Sequence, residues 1–171
     1  MVSEFMAQAR ELLESGADTE SLAAVGRLLS KASSRPGFIP DTEMRSLHGS
    51  ESTFTILQSD PDGLTLMLAR FSPVEETPIH DHGSWGVACV VKGRDRYRHY
   101  RIVDGRPVIA YERELAPGSF VTWPEPPEDV HSQLGIDDGA WELVLFGRDV
   151  TTIPRHYYDV ESGEVTTGLP G

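Results

Sequence analysis

The sequence holds a single cysteine, Cys89, in 171 residues. No intrachain disulfide and no multi-cysteine zinc site can form, and such cysteine usage fits a reducing compartment, so a cytoplasmic location is expected. There is no run of 18 apolar residues, and the Met-Val-Ser-Glu start does not lead through basic residues into an apolar stretch. Neither a membrane span nor secretion is expected. Basic residues are scarce, with 15 Lys and Arg against 27 Asp and Glu, a formal charge of −12. The clustered cations that release counterions from a phosphate backbone are missing, so neither nucleic acid nor a membrane surface is an expected partner. An anionic ligand would have to be drawn by a local cation, such as a metal ion. There is no internal repeat and no low-complexity segment.

What is present suffices for one globular unit. Hydrophobic residues make up 39% of the chain, and a chain of this size can bury roughly 68–70% of its extended surface. Residues 1–171 therefore read as a single domain. Phe5, Ala9, Leu12 and Leu13 fall on one helical face, and Leu22, Val25, Leu29 and Ala32 repeat that period behind a cap at Asp18 or Thr19. Ser33-Ser34-Arg35-Pro36-Gly37 ends the second helix, giving an N-terminal helical flap over residues 1–36. After Pro40 the pattern changes to short β-favouring runs divided by turn signals such as Asp60-Pro61-Asp62-Gly63, Lys92-Gly93 and Pro117-Gly118. Nine runs read as strands: Thr53–Gln58, Leu64–Phe71, Ile79–His82, Trp85–Val91, Arg96–Ile102, Val108–Glu112, Phe120–Trp123, Val130–Leu134 and Trp141–Gly147. The expected class is all-β with N-terminal helices, a barrel or sandwich over residues 50–158 and a tail over 159–171. Exposed strand edges permit a homodimer.

The chemistry centres on Thr77-Pro78-Ile79-His80-Asp81-His82-Gly83-Ser84-Trp85-Gly86. On an extended strand residues i and i+2 share a face, so His80 and His82 point together and Asp81 points away. His-x-His alone also arises by chance in half-buried strands. A third histidine, His131, lies between Val130 and Leu134 on an apolar strand, where an imidazole must be hydrogen-bonded or ligated. Gly86 and Gly93 then follow His82 at the spacing of the first cupin motif, with glycine where that motif usually has glutamate.

On these residues, together with Leu115-Ala116-Pro117-Gly118 and Asp129-Val130-His131, the chain resembles the cupins, and more closely the bacterial branch of the cysteine dioxygenase-type thiol dioxygenases. The resemblance implies a double-stranded β-helix, a jelly-roll barrel with two helices packed outside. It also implies a mononuclear Fe(II) held by His80, His82 and His131, with Zn, Mn or Ni as other occupants. Three neutral imidazoles leave the full 2+ charge on the metal, which favours anionic co-ligands and leaves positions for a thiolate and O₂. The implied activity is oxidation of a small thiol to a sulfinate by O₂. Departures from the family alter the implied pocket. Gly86 stands near the position of a cysteine that the animal-type enzymes cross-link to tyrosine. Glu142, Val144 and Phe146 replace a Ser-x-His-x-Tyr series, and Ile56 falls where an arginine or glutamine grips the substrate carboxylate. The implied pocket is more apolar, lined by Trp85 and Phe146, for a substrate that differs from cysteine. Arg70 or Arg148 would take over the anion, and Glu142 is a candidate fourth ligand or general base.

Other candidates have plainer readings. His48, His99 and His156 lie outside the constellation and read as structural. Cys89, inside Val87-Ala88-Cys89-Val90-Val91, reads as a small buried hydrophobe. Arg94, Arg96, Arg98 and Arg101 read as a solvated strand face. Two rival functions stay open: a non-oxidative hydrolase, isomerase or lyase using Zn, Mn or Ni at the same site, and a non-catalytic cupin that binds a small ligand.

Overall fold

Two amphipathic helices lead the chain, α1 (Val2–Leu12) and α2 (Thr19–Ser33). Asp18 caps α2 by accepting a 2.8 Å hydrogen bond from the Ser21 amide, and the helix stops before Pro36, as the residue preceding a proline leaves the α region. Gly26 lets α2 settle on the sheet, because a Cβ there would lie 2.3 Å from the Phe120 ring. A short helix α3 (Asp41–Ser46), absent from the sequence expectation, follows. The computed structural model describes residues 1–47, 49 and 51–169. Among these, no helix is long and apolar enough to cross a membrane.

Nine strands follow: β1 (Thr53–Ser59), β2 (Thr65–Phe71), β3 (Ile79–His80), β4 (Gly86–Val103), β5 (Arg106–Leu115), β6 (Phe120–Trp123), β7 (His131–Phe146), β8 (Arg155–Tyr158) and β9 (Val165–Gly168). All pairings are antiparallel, and β7 is the hub, pairing with β2, β3 and β4. β4 and β7 each run through a region where the sequence suggested two separate strands. The turn expected at Lys92-Gly93 is instead an irregularity inside β4. Gly93 is required there: its φ is +77°, and a Cβ would sit 2.0 Å from the Gly139 carbonyl oxygen.

The sheet is covered on both faces. Leu66, Leu68, Val87, Cys89, Leu143 and Leu145 point outward and pack with Phe5, Met6, Leu22, Val25 and Leu29 of the helices. Their alternates Met67, Ala69, Ala88, Val90, Val144 and Phe146 form the barrel interior with Tyr97 and Trp123. Two irregularities switch which residues face inward. One step on β4, from Gly93 to Arg94, matches four on β7, from Ala140 to Ile136. The surplus of three residues, Asp137, Asp138 and Gly139, is odd, so inward positions on β7 change from His131 and Gln133 to the even-numbered Glu142, Val144 and Phe146. Val91 is the single surplus residue on β4 and carries the inward set from Ala88 and Val90 to Asp95 and Tyr97.

The expected tail over residues 159–171 contains a strand, β9, which pairs with β8 and covers that edge. The expected barrel start at residue 50 and the last two residues lie outside the described residues.

Candidate metal centre

His80 in β3 and His131 at the start of β7 are Cα partners across the sheet. His82 follows just beyond the end of β3. The three imidazoles are buried, and their ring centroids are 4.8–4.9 Å apart. One nitrogen from each lies within 4.8 Å of the others, and His82 Nε2 and His131 Nε2 are 2.9 Å apart. Asp81 points the other way, as expected, accepting from the His156 amide at 2.8 Å and the His156 ring Nδ1 at 2.7 Å.

Each ring is held by a different device. His80 Nδ1 donates to the Pro78 carbonyl at 2.8 Å, which leaves its Nε2 lone pair free. His131 Nδ1 is hydrogen-bonded to the Tyr97 hydroxyl at 3.2 Å. Backbone placement fixes His82: the Asp129 carboxylate accepts from the amides of His82 at 2.9 Å and Gly83 at 2.8 Å. Its ring is stacked on Trp123, with centroids 5.8 Å apart, and lies 4.7 Å from Phe146. Its Nδ1 is buried with no hydrogen-bond partner among the described residues.

Electrostatics favour the ligand form. Burial, reinforced by the Arg155 charge, pushes His80 down to about 4. Burial, and next the neighbouring imidazoles, holds His82 and His131 well below the ordinary histidine value. Neutral imidazoles with converging nitrogens are what a divalent transition metal takes. Two Nε2 atoms at 2.9 Å cannot both present lone pairs unless a proton or cation lies between them. The donor set therefore fits a metal, and His80, His82 and His131 can hold one.

The centre opens into a cavity of about 270 Å³, below the ~300–1,000 Å³ common for ligand pockets, so it suits a molecule smaller than a drug. Phe54, Met67, Val144, Phe146 and Trp123 make much of its wall apolar. Arg155, Tyr157 and Gln133 add polar groups to that wall. Arg155 is half-buried, its Nε has no hydrogen-bond partner, and no carboxylate lies within ion-pair distance among the described residues. Burial lowers its affinity for a proton, though a guanidinium remains charged.

Several expectations change here. Phe146 does line the cavity, but Trp85 does not: it lies on the outward face with Val87 and Cys89, its indole packed over Gly147. Trp123 takes the place expected for it, because it alternates inward on β6. Glu142 faces inward but bonds to Gln133 behind the wall and is not in the group of possible ligands. Arg70 is stacked on Trp141 and donates to the Glu51 carbonyl, and Arg148 is exposed and donates to the Gly83 carbonyl. Neither lines the cavity. Ile56 is 42% exposed, and Phe54 of β1 reaches the cavity instead. His99 stacks on Tyr111, and His156 is exposed beside Asp81. His48 lies outside the described residues. Arg155 and Tyr157 were missed because β8 was not recognised. The available signal was β-favouring Tyr157-Tyr158 ahead of the turn residues Asp159 to Gly163.

No protein-family model matches the chain, and no curated protein matches its sequence. Solved structures do resemble it. The DMSP lyase DddQ from Ruegeria pomeroyi DSS-3 aligns with a TM-score of 0.51 at 19% identity, over 70% of this chain and 60% of that one. Oxalate oxidase in complex with the substrate analogue glycolate aligns with a TM-score of 0.50 at 20% identity, over 61% of this chain and 54% of that one. The match thus spans about half of the oxalate oxidase chain. A cupin-like protein from Thermotoga maritima gives a TM-score of 0.46 at 20% identity, over 64% of this chain and 77% of that one. At such identities the likeness to the lyase and the oxidase speaks for architecture alone, and together with the strand order and the two covered faces it gives the conclusion that this chain folds as a cupin β-barrel.

Proposed function

We propose that the protein is an Fe(II)-dependent dioxygenase that oxidises the sulfur of a small carboxylate-bearing thiol to a sulfinate. The observation that carries this reading is Arg155, a guanidinium with no carboxylate within ion-pair distance among the described residues, in the wall of a cavity that three neutral imidazoles close. A cation beside a metal centre invites an anionic arm, and burial strengthens that attraction. In the overall conversion, R–SH and O₂ give R–SO₂H: two S–O bonds form, the O–O bond breaks, and the sulfur supplies the electrons that O₂ accepts. Bound at the histidines, iron(II) supplies the point where thiolate and O₂ meet.

The chain's own residues do the rest. Arg155 grips the carboxylate and so sets where the sulfur lies. Phe54, Val144 and Phe146 exclude water from the sulfur side. Pro78 and Tyr97 hold the His80 and His131 rings in register. The test is oxygen uptake by iron-loaded protein with cysteine, cysteamine, 3-mercaptopropionate and 3-mercaptolactate. Uptake with at least one carboxylate-bearing thiol and none with cysteamine is expected. No uptake with any of them sinks the proposal.

A second reading has its own observation. The Tyr157 phenol lines the cavity, its ring 6.2 Å from that of His80, and a phenol beside a Lewis-acidic zinc can move a proton in a lysis reaction. Zinc retained at full occupancy in unsupplemented protein, with no oxygen uptake after iron loading, favours it.

A further inference from the structure

Gln133 leaves β7 on the same side as His131 and forms part of the cavity wall. Its amide nitrogen donates to Asp95 Oδ2 at 3.1 Å and to Glu142 Oε2 at 2.8 Å. Both acids are fully buried. A side-chain amide has two N–H donors, so both are used here. Half a turn of the amide would set its oxygen against the same two acids, and at least one of them would offer only lone pairs. The orientation is therefore fixed.

The two acids also face each other. Asp95 Oδ1 and Glu142 Oε1 have no hydrogen-bond partner among the described residues. Burial, above all, raises both carboxyl groups above the ordinary carboxylate range. With a proton on either acid, the pair would carry a single negative charge, toward which the Gln133 amide donates. Such charge-assisted bonds are roughly twice as strong as neutral ones. With both hydrogens engaged behind the wall, Gln133 Oε1 has no hydrogen-bond partner among the described residues.

We infer that Gln133 Oε1 is the specificity-determining acceptor of the cavity, taking a hydrogen bond from a hydroxyl or ammonium group on the small acid bound at the metal centre, with Asp95 and Glu142 as its positioning residues. The inference rests on the function proposed above and narrows its substrate class to thiols that carry a donor as well as a carboxylate. A ligand without a donor leaves the amide oxygen desolvated and unpaired, which costs affinity.

Iron-loaded protein kept free of oxygen tests this by calorimetric dissociation constants for 3-mercaptopropionate, 3-mercaptolactate and cysteine, which differ at one substituent. Either donor-bearing thiol binds about three- to tenfold more tightly than 3-mercaptopropionate, and the preference disappears in Gln133→Met. Should that variant not fold, Glu142→Gln and Glu142→Leu decide. The glutamine can accept from Gln133 while donating to Asp95 and keeps the preference, whereas the leucine frees the amide and reduces it. Equal binding of all three thiols by the unmodified protein overturns the inference and leaves the metal reading standing, as does a preference that survives Gln133→Met or, where that variant does not fold, Glu142→Leu. Binding of none of them overturns both.

Discussion

The Nε2 atoms of His82 and His131 lie 2.9 Å apart on two buried rings, close enough either to share one N–H or to turn both lone pairs onto a single cation. The chain should bind one divalent transition metal per molecule. At a free metal concentration 100 times the dissociation constant, binding adds about 2.7 kcal/mol of stability. Thermal melting with and without added iron or zinc measures it. His131→Ala should melt at one temperature in both conditions, and an unchanged metal response in that variant removes His131 from the ligand set.

The metal-free protein should lose stability as acid is added. His80 has a folded value of about 4 against about 6.5 when unfolded. The unfolded chain therefore binds the extra proton, and the His80 contribution is complete above pH ~6.5 and lost as pH falls toward 4. The slope is about 1.4 kcal/mol per pH unit for this one ring, with the other two acting in the same sense. The Asp95–Glu142 pair acts oppositely, because its raised carboxyl groups hold a proton that the unfolded chain releases. Urea unfolding of His80→Asn and the parent from pH 7 to 4.5 isolates the histidine: the parent curve must be the steeper.

Arg155→Met should weaken binding of carboxylate-bearing thiols by at least about tenfold, or 1.4 kcal/mol, and leave cysteamine unaffected. Its stability should match or exceed that of the parent, since a half-buried cation with no carboxylate within ion-pair distance among the described residues is removed. Calorimetric titration and thermal melting read the two effects. Equal loss of affinity for cysteamine would mean that the cavity had changed shape.

Gly86→Ala probes the wall behind His82. An added Cβ would lie 2.1 Å from the Trp123 ring, which is itself stacked on His82. Overpacking of this kind costs about 1–3 kcal/mol, and the displaced indole should also weaken metal binding. Denaturant unfolding together with metal titration checks both, and a variant with parental stability and affinity contradicts the packing described here.

Much of this architecture can be read from the chain itself. The stripes Leu22, Val25, Leu29 and Ala32 specify a helix, and His80-Asp81-His82 specifies two rings on one side with an acid on the other, because both follow from local periodicity. Only the tertiary structure decided which tryptophan faces the three histidines. Trp85 and Trp123 look alike in sequence, yet one packs against the helices and the other against His82. Face depends on register, and register along β4 and β7 is reset by Val91 and by the three surplus residues Asp137 to Gly139. The same long-range pairing places Glu142 and Asp95 behind Gln133 and carries Arg155 of β8 to the cavity that His80, 75 residues earlier, helps to line. Periodicity is set by each residue's own backbone, whereas the inside of a barrel exists only after distant strands have paired.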